Sequence, residues 1–158
     1  VYRSGYGMHV SNGILYNHES PRRGENFVTQ KIVRGAASIA QGKAEFLELG
    51  NLDIERDWGY APDYVQGMWM MLQEEQADDY ILATGKTHKL SDFLQLSFEY
   101  FGLDHQKHIR INPKFVRPNE PIQLCGDSSK AQNILGWKPS VTFEQIIKSM
   151  CEAAEKSN

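Results

Sequence analysis

Apolar residues along the chain switch between a period near 3.6 and short apolar runs, and that alternation of helix and strand signals predicts an α/β fold. Val10 to Tyr16 reads as a buried strand, although Asn12-Gly13 within it also fits a hairpin turn. After a polar stretch from Asn17 to Asn26, Val28, Ile32, Ala36, Ile39 and Ala40 fall on one helical stripe. They predict a helix over Phe27 to Gln41, with Asn26 as N-cap and Gly42 as stop. Glu45 to Leu49 alternates as a short strand does, and a loop from Asn51 to Tyr60 follows. Pro62 and Asp63 mark the start of a helix running to about Gln73, where Tyr64, Val65, Met68, Trp69, Met71 and Leu72 form a wide apolar stripe.

Tyr80 to Ala83 reads as a short buried strand closed by Thr84-Gly85, and Ser91 is placed to cap a helix through Phe101 that ends at Gly102. Asp127 can cap a short helix stopped by Gly136. Thr142 and Gln145 form a capping box ahead of Phe143, Ile146, Ile147, Met150 and Ala154, with Val141 and Ile146 at the positions of a hydrophobic staple. Repeats and linkers are absent, so residues 1–158 are expected to form one unit.

Composition narrows the class. With 41% hydrophobic residues the 158-residue chain can fill a core, which argues against a disordered tail. Seventeen Lys and Arg against twenty Asp and Glu give a net charge of −3, so no nucleic-acid or anionic-membrane partner is expected and any anion site must be local. The longest apolar run, near Met68 to Leu72, is far short of the roughly 20 residues that span a bilayer. Cys125 and Cys151 lie far apart in no metal-type spacing, which fits reduced thiols and a cytoplasmic location. The sequence opens Val-Tyr-Arg without an initiator Met, so a piece of a longer protein is expected.

Neither Gly-x-Gly-x-x-Gly nor a Walker-type Gly-Lys-Ser/Thr occurs, so a nucleotide would have to be held by side chains. Asn17-His18-Glu19-Ser20-Pro21-Arg22-Arg23-Gly24 lies between a strand and a helix, where α/β folds bind ligands. From Asn17 to Arg34 there are four basic residues against two acids, a local excess suited to a diphosphate. Spacing alone fits an ordinary solvated loop equally well. Glu55-Arg56-Asp57-Trp58 and Arg117-Pro118-Asn119-Glu120 are further loop clusters, in which Arg can meet phosphate and Glu can accept ribose hydroxyls. An ion-paired loop anchor and a surface turn are their plain alternatives. His105 and His108 share a helical spacing without a carboxylate or thiol to complete a metal set.

Asn12-Gly13-Ile14-Leu15-Tyr16-Asn17-His18-Glu19-Ser20-Pro21-Arg22-Arg23-Gly24, continued by Phe27-Val28-Thr29, resembles the segment after the catalytic helix in GDP-mannose 4,6-dehydratases, which are extended short-chain dehydrogenase/reductases. The likeness continues in order through Leu49-Gly50-Asn51-Leu52-Asp53, Arg56-Asp57-Trp58-Gly59, Asp63-Tyr64-Val65, Ala83-Thr84-Gly85, Arg117-Pro118-x-Glu120, Gly126-Asp127 and Leu135-Gly136-Trp137-Lys138-Pro139. Two positions depart from the family pattern: Gln30 stands where Arg is common, and Pro121-Ile122 where Val-Asp is common.

The resemblance implies the carboxy-terminal, substrate-binding part of a Rossmann-type enzyme, cytoplasmic and homo-oligomeric when whole. The amino-terminal NADP-binding half, with the catalytic Tyr, Lys and Glu, is absent from this chain. In the family, a Tyr assists oxidation at sugar C4 as hydride passes to NADP, a Glu eliminates water across C5 and C6, and hydride returns to C6. By resemblance His18 and Arg23 contact NADP, and Asn17 lies near the sugar diphosphate. Lys31, Leu49, Gly50, Arg56, Arg117 and Glu120 enclose the GDP of GDP-mannose, with arginines on phosphate and Glu120 on ribose. No catalytic residue and no metal ligand is expected in this chain. A GDP-sugar-binding module without catalysis, a partner subunit, a fragment of a related epimerase or dehydratase, and a structural fragment that binds nothing are the rival readings.

Overall fold

The computed structural model describes residues 1–156. Helix α1 (Tyr2–Tyr6) leads into strands β1 (Asn12–Leu15) and β2 (Asn17–Glu19), helix α2 (Val28–Ala40) and strands β3 (Leu47–Leu49), β4 (Glu55–Arg56) and β5 (Trp58–Tyr60). Helix α3 (Ala61–Met71), strands β6 (Asp79–Leu82) and β7 (His88–Lys89), helices α4 (Leu90–Tyr100) and α5 (His105–His108) and strand β8 (Ile109–Ile111) follow. A 3-10 turn at Pro113–Phe115, strand β9 (Gln123–Leu124) and helices α6 (Ser129–Leu135) and α7 (Phe143–Lys156) complete the order. β1 pairs with β6, β2 with β5 and β3 with β8, all in parallel, while β4 sits between antiparallel β7 and parallel β9. Parallel neighbours need long crossovers, and helices supply them, as the α/β reading requires.

Two apolar clusters hold the elements. The larger joins Ile32, Val33 and Ala36 of α2, Phe93 and Phe98 of α4, and Ile146, Ile147 and Met150 of α7, with Leu49 and Trp58 from the strands. The free thiol of Cys151 lies inside it, where burial pushes its pKa up to about 12. The smaller cluster packs Tyr64 and Met71 of α3 against Tyr80 and Leu82 of β6, Ala131 and Leu135 of α6, and Trp137. Trp137 Nε1 donates to the Asp63 carbonyl at 2.7 Å, and the Asp63 carboxylate accepts from Ser140 N at 2.8 Å and Ser140 Oγ at 2.6 Å. The first turn of α3 thereby fixes the chain entering α7.

The structure revises several sequence expectations. β1 is mostly exposed, Ile14 at 54%, because β6 is its one paired strand among the described residues. Asn12 and Gly13 pair with Asp79 and Tyr80 as extended residues, which excludes the hairpin turn. The polar Asn17-His18-Glu19 is strand, and the Asn51–Tyr60 loop holds β4 and β5. Ladders as short as these carry no periodicity to read. Only Tyr64 and Met71 of the α3 stripe are buried, since Val65 and Trp69 are 63% and 62% exposed and Met68 and Leu72 also face out. Ala40 is exposed as well.

Caps shift by a residue or two. Phe27 rather than Asn26 caps α2, Lys89 rather than Ser91 caps α4, and Ser128 rather than Asp127 precedes α6, with the Asp127 carboxylate accepting from Ser129 N at 2.9 Å. The Thr142–Gln145 capping box forms as expected, Gln145 Oε1 accepting from Thr142 N at 2.9 Å and Thr142 Oγ1 from Gln145 N at 3.3 Å.

Candidate functional site

β2 and its flanks shape a pocket of about 420 Å³ lined by Ile14, Leu15, Tyr16, Asn17, His18, Arg23 and Leu124. Parallel strands end here, and the crevice at their carboxyl ends is the usual ligand position of open α/β sheets. His18 stacks on Tyr64 with ring centroids 5.0 Å apart, and its Nδ1 lies 2.8 Å from the Tyr16 carbonyl, which fixes the ring. Arg23 Nη1 donates to the His18 carbonyl at 3.2 Å, and its guanidinium lies 3.5 Å from the centroid of the Phe27 ring. Its Nε is buried 3.3 Å from Glu19 Oε2, an ion-pair distance without the alignment of a hydrogen bond. Burial raises the pKa of Glu19, against the lowering effects of the Thr29 hydroxyl, which donates to it at 2.7 Å, and of Arg23. Burial likewise raises the pKa of the Tyr64 hydroxyl, with Asp57, Asp63 and Glu19 adding to the shift.

A second group forms on β4 and the segment that follows β8. Arg56 is buried; its Nη2 donates to Glu120 Oε1 at 2.8 Å, and its Nη1 donates to the carbonyls of Glu55 at 2.7 Å and Pro121 at 3.0 Å. Arg117 reaches the same Glu120 oxygen only at 4.0 Å, with its side chain 81% exposed. The expected trio of Arg56, Arg117 and Glu120 is therefore assembled. The Pro121-Ile122 departure falls where Arg56 reads backbone carbonyls rather than side chains.

Lys31, Leu49 and Gly50 form a third group. Lys31 Nζ donates to the Glu48 carbonyl at 2.7 Å and lies 4.1 Å from the centroid of the Phe115 ring. A Cβ at Gly50 would stand 2.5 Å from the Phe115 carbonyl oxygen, so only glycine admits this approach. Leu49 sends its side chain into the larger core and presents backbone, with its carbonyl accepting from Asn112 N at 2.8 Å. Gln30, the other departure, is buried, and its Oε1 has no hydrogen-bond partner among the described residues.

The sequence gives no sign of the role of Asp57, which ties the chain just after Arg56 to the back of the pocket. The fully buried Asp57 carboxylate accepts from Thr84 N at 2.8 Å, Thr84 Oγ1 at 2.6 Å, Gly85 N at 2.9 Å and Gly126 N at 3.3 Å. Gly126 in turn backs onto the pocket, since a Cβ there would meet Ala83 at 2.3 Å and the Tyr16 ring at 2.9 Å. The available signal was an acid between Arg56 and Trp58, indistinguishable in sequence from a loop ion pair. His105 and His108 share α5, and His108 Nδ1 lies 2.8 Å from the Glu45 carbonyl. Among the described residues no group of three or more His, Cys, Asp or Glu gathers for a metal, and no helix is long and apolar enough to cross a membrane.

The family model of GDP-mannose 4,6 dehydratase matches residues 1–150. This chain belongs to the GDP-mannose 4,6-dehydratase family. GDP-mannose 4,6 dehydratase 1 of Arabidopsis thaliana is 52% identical over 151 residues, covering 96% of this chain and 42% of the relative. The human GDP-mannose 4,6 dehydratase is 41% identical, covering 96% of this chain and 45% of its own length. The chain thus spans less than half the length of these curated relatives. Among solved structures, RMD from Pseudomonas aeruginosa, complexed with NADPH, superposes with a TM-score of 0.90 at 23% identity, over 99% of this chain and 52% of that one. UDP-glucuronic acid 4-epimerase from Bacillus cereus, in complex with UDP-glucuronic acid and NAD, gives 0.83 at 16% identity over 99% and 48%. At such identities these likenesses show the fold alone, a Rossmann-type α/β sheet. The family's dehydratases are lyases.

Proposed function

We propose that residues 1–158 act as the GDP-sugar-binding, carboxy-terminal part of a GDP-mannose 4,6-dehydratase, which converts GDP-mannose to GDP-4-dehydro-6-deoxy-mannose. The observation that carries this reading is the meeting of Arg56 of β4 with Arg117 and Glu120 of the segment whose far end, Leu124, lines the pocket with Asn17, His18 and Arg23. Arg117, exposed and loosely held, is free to follow a diphosphate, and Arg56 offers Nη2 beside it. Glu120 accepts from ribose hydroxyls, while Lys31 and the Leu49–Gly50 wall flank the base. Asn17 faces the sugar diphosphate.

Arg23 lines the pocket beside His18, and its guanidinium supports a cofactor anion there. Arg23 and His18 would hold NADP there, with Tyr64 bracing the His18 ring. Bound NADP supplies hydride acceptance and return. The chain's own residues bind and orient, and alone it is not expected to turn over. The remaining, dinucleotide-binding part of the protein is expected against the free edge of β1 and the outward Val65, Met68, Trp69 and Leu72 of α3.

Titration calorimetry with GDP tests the reading. Arg117→Ala removes a side chain that packs against nothing the fold depends on, and it should weaken GDP binding about tenfold with unchanged thermal stability, the loss of one charge-assisted contact. Absence of heat with GDP at millimolar concentration, or equal affinity in wild type and Arg117→Ala, would overturn it.

A further inference from the structure

The segment from Asn112 to Leu124 crosses every part of the site. Asn112 N donates to the Leu49 carbonyl, Phe115 lies over Lys31 and against Gly50, and Leu124 closes the pocket wall. Most of its side chains are exposed, so packing alone does little to hold it. Backbone bonds from Glu55 and Asp57 to Ile122 and Leu124, together with Arg56, do that, and the two ends of the Arg56 guanidinium differ in kind. Nη1 is committed to main-chain carbonyls, that of Glu55 on its own strand and those of Pro121 and Ile122 just ahead of β9, where the ladder to β4 fixes the backbone. Nη2 is bound to a side-chain carboxylate, which can rotate away. Asn119, the residue before that carboxylate, adopts a left-handed φ of 59°, and the bend there brings Glu120 onto Arg56.

We propose that the Arg56–Glu120 pair is an exchangeable catch: in the free protein Glu120 occupies the anion position on Arg56 Nη2, and a diphosphate ligand must displace it while Nη1 keeps the segment in place. The ligand class rests on the function proposed above. Arg117, 4.0 Å from the same Glu120 oxygen, keeps a cation beside the displaced carboxylate. Glu120 is then a competitor of phosphate on Arg56, and affinity for a bare diphosphate is lower than the two arginines alone would give.

Inorganic pyrophosphate, which carries no ribose, isolates the exchange. Glu120→Gln keeps the shape and removes the competing charge, so calorimetry should read pyrophosphate binding about fivefold tighter, the scale of one partly exposed ion pair. Asp53→Asn removes a nearby exposed charge that does not touch Arg56 and should change the affinity less than twofold. Glu120→Asp, with a shorter reach to Nη2, should fall between wild type and Glu120→Gln and serves if the latter does not fold. Unchanged or weaker pyrophosphate binding in Glu120→Gln, or an equal gain in Asp53→Asn, overturns the catch. If the catch holds but wild type binds GDP no better than pyrophosphate, the nucleotide-sugar reading fails on its own.

Discussion

The two apolar clusters differ less in composition than in closure. Around α2, α4 and α7 every apolar stripe meets another: Phe93, Phe98, Ile146 and Met150 are buried from all sides. Around α3 and β6 the inner face is as tightly made, with Tyr64 and Trp137 in edge contact at 5.6 Å, yet the outer face of α3 leaves Val65, Met68, Trp69 and Leu72 in solvent, and β1 keeps an edge unpaired among the described residues. An amphipathic pattern reports that a face is apolar and is silent on whether its partner lies in the same stretch of chain. The first region is a finished core, and the second keeps an apolar face in solvent, which the proposed function assigns to the rest of the protein.

The sharpest way to break that comparison is to truncate one large side chain in each region. Phe98→Ala should cost about 3–5 kcal/mol of unfolding free energy, as full burial implies. Trp69→Ala in the same chain should stay within about 0.5 kcal/mol. Equal shifts in denaturant midpoint would mean that the outward face of α3 is covered after all. A smaller effect is expected where the two regions meet the site. Gly126→Ala forces a methyl against Ala83 and the Tyr16 ring, and should cost about 1–3 kcal/mol together with a measurable loss of GDP affinity. Stability falling with affinity unchanged would separate this residue from the pocket.

The smallest effect is on pH dependence and concerns β2, which lies at the seam between the regions. Glu19 accepts from Thr29 of α2 while His18 stacks on Tyr64 of α3. Because burial raises its folded-state pKa, its contribution to stability is full below the ordinary carboxyl value of 4.5 and is lost as pH rises through the raised one. Glu19→Gln stays neutral and still accepts from Thr29, so its melting temperature relative to wild type should climb from pH 4 to pH 7. A difference that does not change with pH would place the charged form of Glu19 in a better-solvated setting than its burial indicates.

Legibility in the sequence followed element length and burial. Thirteen residues of α2 and fourteen of α7 give stripes that a 3.6 period captures, and Thr142 with Gln145 announces the start of α7. Strands of two or three residues, such as β4, β5 and β9, are made by long-range pairing and leave no local trace. At the site, the clustered charges of Arg23, Arg56, Arg117 and Glu120 were visible because charge is written in residue type. Asp57 and Phe115 were not, since what matters is which backbone N–H groups or cation stand opposite them, and those come from far along the chain.

Asp57 also bears on the order of events during folding. One of its donors, Gly126 N, lies 69 residues away in sequence, and two others, at Thr84 and Gly85, come from the turn after β6. Contacts so distant close slowly because the intervening chain must first be gathered in. The core around Phe98 is no more local, since α2 and α7 come from opposite ends of the chain, and the Asp57 carboxylate finds its last donor only when nearly the whole chain is in place. Full satisfaction of Asp57 is thus a property of the completed fold, and protection of the Gly126 amide from hydrogen exchange reads out that completion.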